Sequence, residues 1–170
     1  MSVHPSRASQ VTRIDREACT FVIEREFEAP REVVFTAWSS CEHLARWWGP
    51  RDFTLPVCEI DFRTGGRWFY GMAHPDFGTS YGIAFYDQIE APSTIRYRDH
   101  FADAEGNVNE GLPGMQIAVE LLDLGGLTRV VSTTTFNAPE DLDKVIEMQM
   151  EEGISMTFDR LADLLAEPLG

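Results

Sequence analysis

The chain of 170 residues has the length of one ordinary domain, and 44% of its residues are apolar, which is enough for a single hydrophobic core. Its 28 acidic residues outnumber the 14 basic ones, and the net charge of −14 disfavours binding to nucleic acid or to an anionic membrane surface. We find no apolar run of about 18 residues and no apolar signal-peptide segment, so we expect a soluble cytoplasmic protein.

The three cysteines, Cys19, Cys41 and Cys58, are odd in number and show no CxxC spacing. This usage predicts neither a disulfide framework nor a zinc site, and it is typical of proteins from a reducing compartment. The four histidines lie in four separate predicted elements, so we expect no metal site and no cofactor.

The chain begins with a polar, aperiodic stretch, which predicts a mobile N-terminal arm over residues 1–17 and a single domain over residues 18–167. Alternation in the segment CTFVIEREF predicts an opening strand. Two short helices are predicted next, one with Pro30 in its first turn and one with Ser40 as its N-cap. Gly49 and Pro50 prevent the second helix from continuing.

The period of the apolar residues changes to two between residues 53 and 136, where turn signals separate six short segments. Strands are predicted at 53–62, 67–73, 80–89, 94–101, 115–123 and 128–136, which with the opening strand make an antiparallel sheet of about seven strands. An apolar stripe at helical spacing then predicts one long helix over residues 139–166. The fold class is therefore α+β, and strong curvature of the sheet would leave a cavity beneath the helix.

Four motifs occur in a fixed order along the chain: EAPREVVF, WWGP with a following FT, DFRTGGRW, and EEG with a following LADLL. Together they resemble the START/polyketide-cyclase superfamily (SRPBCC, helix-grip fold), and within it the branch of the C-terminal domain of the activator of heat-shock-protein-90 ATPase homologue. The resemblance spans residues 19–167 and implies a helix-grip fold with a cavity. It does not imply one activity, since the superfamily includes lipid carriers, resistance proteins, cyclases and co-chaperones.

Two residues depart from the pattern of this superfamily. Thr64 stands where proline is usual, which is a minor change of a turn. Ile154 stands where tryptophan usually follows the glycine of the last helix, and this change reshapes the space under that helix. A relative's ligand is therefore not transferred to this chain.

Strand parity predicts which side chains line the cavity, because alternate residues of a strand share a face. The selected set is mostly apolar with a few polar groups, as is typical of small-molecule pockets, although any one member could instead simply fill the core. Of the adjacent tryptophans, Trp47 is expected in the core and Trp48 at the cavity mouth. The predicted ligand-binding residues are Phe35, Trp38, Trp48, Trp68, Tyr70, Met72, Tyr81, Phe85, Tyr97, Asp99, Met115, Ile117, Met150, Gly153 and Ile154.

Asp99 is the candidate acid or base, because a buried carboxyl group has a raised pKa. Its place near a strand end is more typical of a solvated residue at the rim. His100 points to the opposite face, so an Asp99–His100 dyad is not expected. His74 lies in a turn before proline, where histidines are usually exposed.

The leading hypothesis is non-enzymatic binding of a small apolar or aromatic molecule between the sheet and the last helix, with no catalytic residue assigned. One alternative is a cyclase- or hydrolase-like enzyme acting on a polycyclic or polyketide-like substrate. The other, implied by the resemblance, is a chaperone-interacting module. No nucleic-acid or membrane partner is expected, and the sequence leaves a homodimer open.

Overall fold

A computed structural model describes residues 4–167 as one curved, eight-stranded antiparallel sheet with helices packed on one face. A 3-10 helix, Pro5–Ser9, precedes β1 (Val11–Asp15) and β2 (Thr20–Phe27), and two helices, α1 (Arg31–Thr36) and α2 (Cys41–Trp47), follow. Six strands come next: β3 (Thr54–Ile60), β4 (Arg67–His74), β5 (Gly78–Glu90), β6 (Thr94–Ala102), β7 (Met115–Asp123) and β8 (Thr128–Phe136). The chain then forms α3 (Pro139–Glu147) and α4 (Met150–Leu165).

The strand order is β1-β2-β8-β7-β6-β5-β4-β3, so the meander from β3 to β8 returns to the beginning of the chain. The α+β class and the helix-grip fold predicted from the sequence are confirmed. The predicted strands at 115–123 and 128–136 have the observed bounds, and Ser40 is the N-cap of α2, where its hydroxyl accepts from the amide of His43.

The N-terminal segment differs from the aperiodic, mobile arm that the sequence predicts, although residues 1–3 lie outside the described part of the chain. Residues 5–9 form the 3-10 helix, and β1 adds an eighth strand to the sheet by pairing with β2. Its register places Ile14 opposite Phe21. A five-residue edge strand is too short to show periodicity, and it is stabilised by backbone pairing that only the fold supplies.

The predicted long C-terminal helix is two helices. The break comes at Gln149, whose φ of +62° lies in the left-handed region and stops the run of helical hydrogen bonds. The apolar stripe keeps its helical spacing across the break, so periodicity alone could not reveal it. As a result α3 packs near β8, while α4 lies against α2 and the 3-10 helix.

A disulfide joins Cys41 at the start of α2 to Cys58 of β3, with the two Cα atoms 5.8 Å apart. The prediction of no disulfide is therefore wrong. A separation of 17 residues carries no motif, and only the packing of α2 against β3 brings the two cysteines together. The cysteines consequently no longer support a reducing compartment. In residues 4–167, no helix is long and apolar enough to cross a membrane.

A buried ionic network attaches α4 to the sheet. The guanidinium of Arg25 in β2 is fully buried, and its Nη1 donates to Oδ1 of Asp159 at 2.7 Å while Nη2 donates to the Ser155 carbonyl oxygen at 3.0 Å. Arg7 of the 3-10 helix donates to both oxygens of the same carboxylate, at 3.0 and 2.8 Å. Burial raises the pKa of Asp159, but hydrogen bonds and charges from Arg7 and Arg25 outweigh it and hold that pKa below its ordinary value.

This network predicts a large loss of stability for Asp159→Asn, because the substitution leaves Arg25 buried without its counter-ion. We expect the free energy of unfolding at pH 7 to fall by about 3–5 kcal/mol, measured by urea denaturation. The difference from wild type should shrink as the pH falls through the lowered pKa of Asp159, where the wild-type carboxylate is itself protonated.

The matched control is Asp143→Asn, which breaks the 3.0 Å ion pair with Arg16 at an exposed position. This variant should lose no more than about 1 kcal/mol. Equal losses in the two variants would contradict a structural role for the buried pair.

Candidate functional site

A cavity of about 310 Å³ lies between α4 and the inner face of the sheet. Strands β4, β6, β7 and β8 form its floor, and α4 covers it together with the α2–β3 loop. This volume falls at the lower end of the range of about 300–1,000 Å³ for small-molecule pockets. The cavity can therefore hold a small molecule of one or two rings.

The structure brings most of the predicted site residues together around this cavity. The predicted residues that line it are Trp38, Trp48, Tyr70, Met72, Tyr97, Asp99, Met115, Ile117, Met150, Gly153 and Ile154. Sequence reasoning missed several others, among them Phe101, Ser132, Thr134, Met148, Thr157 and Phe158. Alternation along β8 could have indicated Ser132 and Thr134, but a search for apolar side chains on one strand face passes over residues with hydroxyl groups.

Four predicted residues do not line the cavity. Phe35 and Trp68 are buried in the core, where Phe35 packs on Phe62 and Trp68 packs edge-on against Trp48 at a centroid distance of 4.7 Å. Strand parity predicts that Tyr81 and Phe85 face the cavity, and this prediction is wrong for both residues.

Pairing between β4 and β5 explains the error. Tyr70 lies opposite Gly82 and Trp68 lies opposite Ala84, so these two small residues of β5 face inward, while Tyr81 and Phe85 face outward. On the outer face Tyr81 stacks on Phe69 at a centroid distance of 6.0 Å. Both faces of β5 carry apolar side chains, which removes the alternation signal from the sequence.

The close approach at Gly82 positions Tyr70. A Cβ atom at Gly82 would overlap the Tyr70 ring, so glycine allows that ring to lie flat across β5 toward β6. The Tyr70 hydroxyl then donates to Asp99, at 3.0 Å to Oδ2 and 3.1 Å to Oδ1. The sheet thus presents a fixed phenol–carboxyl pair to the cavity.

Asp99 is buried, with 6% of its surface exposed, so the structure decides against a solvated position at the rim. Burial raises its pKa to about 7, although hydrogen bonds from Tyr70 and from the backbone of His100 act in the opposite direction. Burial and the charge of Asp99 also raise the pKa of Tyr97, two residues away on the same face. Asp99 can therefore exchange its proton near neutral pH.

The two histidines that the sequence analysis weighed lie outside the cavity. His100 contacts Phe85 on the outer face, at a ring-centroid distance of 6.0 Å, as its parity predicts. His74 packs between Phe53 and Phe77 at the β4–β5 hairpin. Within residues 4–167, no group of three histidine, cysteine or acidic side chains could hold a metal ion.

The adjacent tryptophans at the end of α2 lie in different surroundings. Trp47 is fully buried and its indole Nε1 donates to the Ala37 carbonyl oxygen at 2.9 Å, whereas the Trp48 ring lines the cavity. Arg160 of α4 fixes the loop that follows, because its Nη1 donates to the carbonyl oxygens of Gly49 at 3.0 Å and Phe53 at 3.1 Å. The cavity wall is therefore tied directly to the helix that covers it.

The remaining wall of the cavity is adaptable. Four of the six methionines in the chain line it: Met72, Met115, Met148 and Met150. Methionine side chains are flexible and polarisable, so they fit apolar ligands of different shapes. Gly153 adds free space, since a Cβ atom there would make only ordinary contact, at 3.6 Å, with Pro50.

Comparison with known proteins gives a family and a set of structural neighbours. The family model described as Activator of Hsp90 ATPase homolog 1-like protein matches residues 28–166. No curated protein matches the chain.

The solved structures cover nearly the whole chain. Protein Ms6760 from Mycobacterium smegmatis is 28% identical with a TM-score of 0.86, and the match covers 94% of this chain and 98% of that one. A protein from Arthrobacter aurescens is 33% identical, with a TM-score of 0.84 and coverage of 94% and 93%. A protein from Staphylococcus epidermidis is also 33% identical, with a TM-score of 0.79 and coverage of 92% and 95%.

The raised pKa of Asp99 predicts that Asp99→Asn stabilises the protein at alkaline pH. A carboxyl with a pKa of about 7 in the folded chain and 3.8 as its ordinary value binds its proton more tightly when folded, so wild-type stability falls as the pH rises from about 4 to 7. Asparagine does not ionise. At pH 8 the variant should exceed wild type by up to about 4 kcal/mol in unfolding free energy, and below pH 4 the gap should close.

Urea denaturation between pH 3.5 and 8.5 measures this gap. Asp87→Asn, at a half-exposed carboxylate paired with Arg98 on the outer face, serves as the control and should show no such gap. A constant difference between Asp99→Asn and wild type across the pH range would show that Asp99 titrates normally.

Proposed function

The chain belongs to the family of Activator of Hsp90 ATPase homolog 1-like proteins, in the SRPBCC superfamily, and on this premise we propose that it binds a small apolar or aromatic molecule in the cavity under α4. The observation that carries the proposal is the cavity itself: about 310 Å³ of space lined by aromatic rings, methionines and one buried carboxyl group. Such a lining, mostly apolar with few polar groups, is typical of ligand pockets.

Apolar burial supplies enough free energy for this role. A ligand that buries about 300 Å² of apolar surface gains roughly 7 kcal/mol, which corresponds to a dissociation constant in the micromolar range before ordering costs. Trp48, Tyr97 and Phe158 offer ring surfaces, and the Tyr70–Asp99 pair offers a polar contact. Binding therefore needs no chemical step.

Filling the cavity should abolish binding without unfolding the protein. Ile154 lines the cavity from α4, so Ile154→Trp places a larger ring in that space. We expect the affinity for an apolar probe, n-butylbenzene, to fall at least tenfold, measured by the change in tryptophan emission or by calorimetry.

Leu124→Trp is the control, because Leu124 is 45% exposed in the turn between β7 and β8 and lies outside the cavity. It should leave the affinity unchanged. If wild type binds no apolar probe, or if both variants bind as wild type does, the cavity is not a ligand site.

A second candidate function, acid–base catalysis on a bound substrate, is favoured by one observation. Asp99 has a pKa of about 7 in the cavity, which suits a group that gives and takes a proton at neutral pH. Native mass spectrometry of protein purified from its own source can identify a retained ligand. Incubation of the isolated ligand with fresh protein should return it with unchanged mass if the protein only binds. A changed product that Asp99→Asn does not form would favour catalysis.

A further inference from the structure

The protein buries two carboxyl groups, and only one of them has a cationic partner among the described residues. Asp159 accepts hydrogen bonds from Arg25 and Arg7, and its pKa is lowered. Asp99 accepts from the Tyr70 hydroxyl, a neutral donor, and no salt bridge within residues 4–167 includes it. An ionised buried carboxylate is costly unless a positive charge lies beside it.

The cavity contains no such charge of its own. Among the described residues that line it, Asp99 is the one carboxyl group, and none is lysine, arginine or histidine. The described lining of the cavity therefore offers no positive charge to an anionic ligand, and the net charge of −14 on the chain repels anions further. A positively charged ligand would supply the counter-ion that Asp99 lacks.

The surrounding rings favour the same ligand. Trp48 and Tyr97 line the cavity with Asp99, and Phe101 lies two residues further along β6. Aromatic faces attract cations through the charge distribution of the ring, most strongly where water is excluded. An apolar amine would thus contact aromatic rings with its apolar part and the Asp99 carboxylate with its ammonium group.

From this arrangement, and resting on the proposed function of the cavity, we infer that the natural ligand is a small apolar molecule with a protonated amine, whose ammonium group binds Asp99. The Tyr70 hydroxyl keeps its hydrogen bond to the carboxylate and orients it toward the amine. No covalent step is involved.

The affinity for such a ligand depends on pH. The ionisable groups that face Asp99 are Tyr70 from β4, Tyr86 from β5 and Tyr97 from β6, all with pKa values raised by burial, so they stay neutral below pH 9. On the helix side the lining residues Gly153, Ile154 and Thr157 are uncharged. Between pH 6 and 8 the titration of Asp99 alone changes the charge of the site, and the carboxylate form is the one that binds the ammonium group.

Three isosteric probes test this inference: 3-phenylpropylamine, 3-phenylpropan-1-ol and n-butylbenzene. They differ only in the terminal group, which is a cation, a neutral hydrogen-bond donor or a methyl group. An alkylamine stays protonated from pH 6 to pH 8. Affinities are measured by calorimetry at constant ionic strength, for wild type, Asp99→Asn and the surface control Asp143→Asn.

In wild type at pH 8 we expect the amine to bind at least tenfold more tightly than the alcohol and butylbenzene. Its affinity should fall about tenfold from pH 8 to pH 6, as Asp99 becomes protonated, while the two neutral probes change little. Asp99→Asn should remove both the preference and the pH dependence but keep binding of butylbenzene. Asp143→Asn removes the same charge from the surface and should behave as wild type.

The two proposals fail in distinguishable ways. Equal affinity for all three probes at pH 8 would overturn the inference about the amine and leave the apolar cavity standing as a binding site. Amine preference that survives in Asp99→Asn would also overturn it. Absence of binding by every probe in wild type would overturn both proposals. Should Asp99→Asn fail to fold, the wild-type probe series and its pH dependence still decide the question.

Discussion

The attachment of α4 to the rest of the molecule is the constraint on which the fold and the cavity both depend. Two consecutive residues of this helix make the attachment in different directions. Asp159 meets Arg25 from the sheet, and Arg160 donates to the carbonyl oxygens of the loop after α2. Both anchors lie in the second half of the helix. In the first half, the Arg25 guanidinium also donates to the Ser155 carbonyl oxygen, while the segment around Gly153 covers the cavity.

The break between α3 and α4 belongs to the same arrangement. A single straight helix from residue 139 to 166 could not follow β8 with one half and cross to α2 with the other. The left-handed backbone conformation of Gln149 allows the change of direction. Gln149 itself lines the cavity, together with Met148 and Met150. The cavity therefore results from the change of direction between α3 and α4 as well as from the curvature of the sheet.

The sequence predicted the fold well because its main signals are local. Alternation located the strands of the meander, and the Gly49-Pro50 stop located the end of α2. It failed where long-range pairing decides the outcome. The face of the sheet on which Tyr81 lies depends on which residue of β4 pairs with it. The Cys41–Cys58 disulfide depends on the packing of α2 on β3. Burial of Asp99 near its strand end was likewise undecidable, because the covering elements come from distant parts of the chain.

All four tryptophans of the protein form one continuous cluster. Trp38, Trp47, Trp48 and Trp68 follow one another at ring-centroid distances of 4.8, 5.4 and 4.7 Å. Indole rings this close exchange excitation energy much faster than they emit, so the excited state is shared along the cluster. Because Trp38 and Trp48 also line the cavity, the intrinsic fluorescence of the whole protein is sensitive to what lies in it. The packing of the four tryptophans thus makes the intrinsic fluorescence of the protein depend on whether the cavity is occupied.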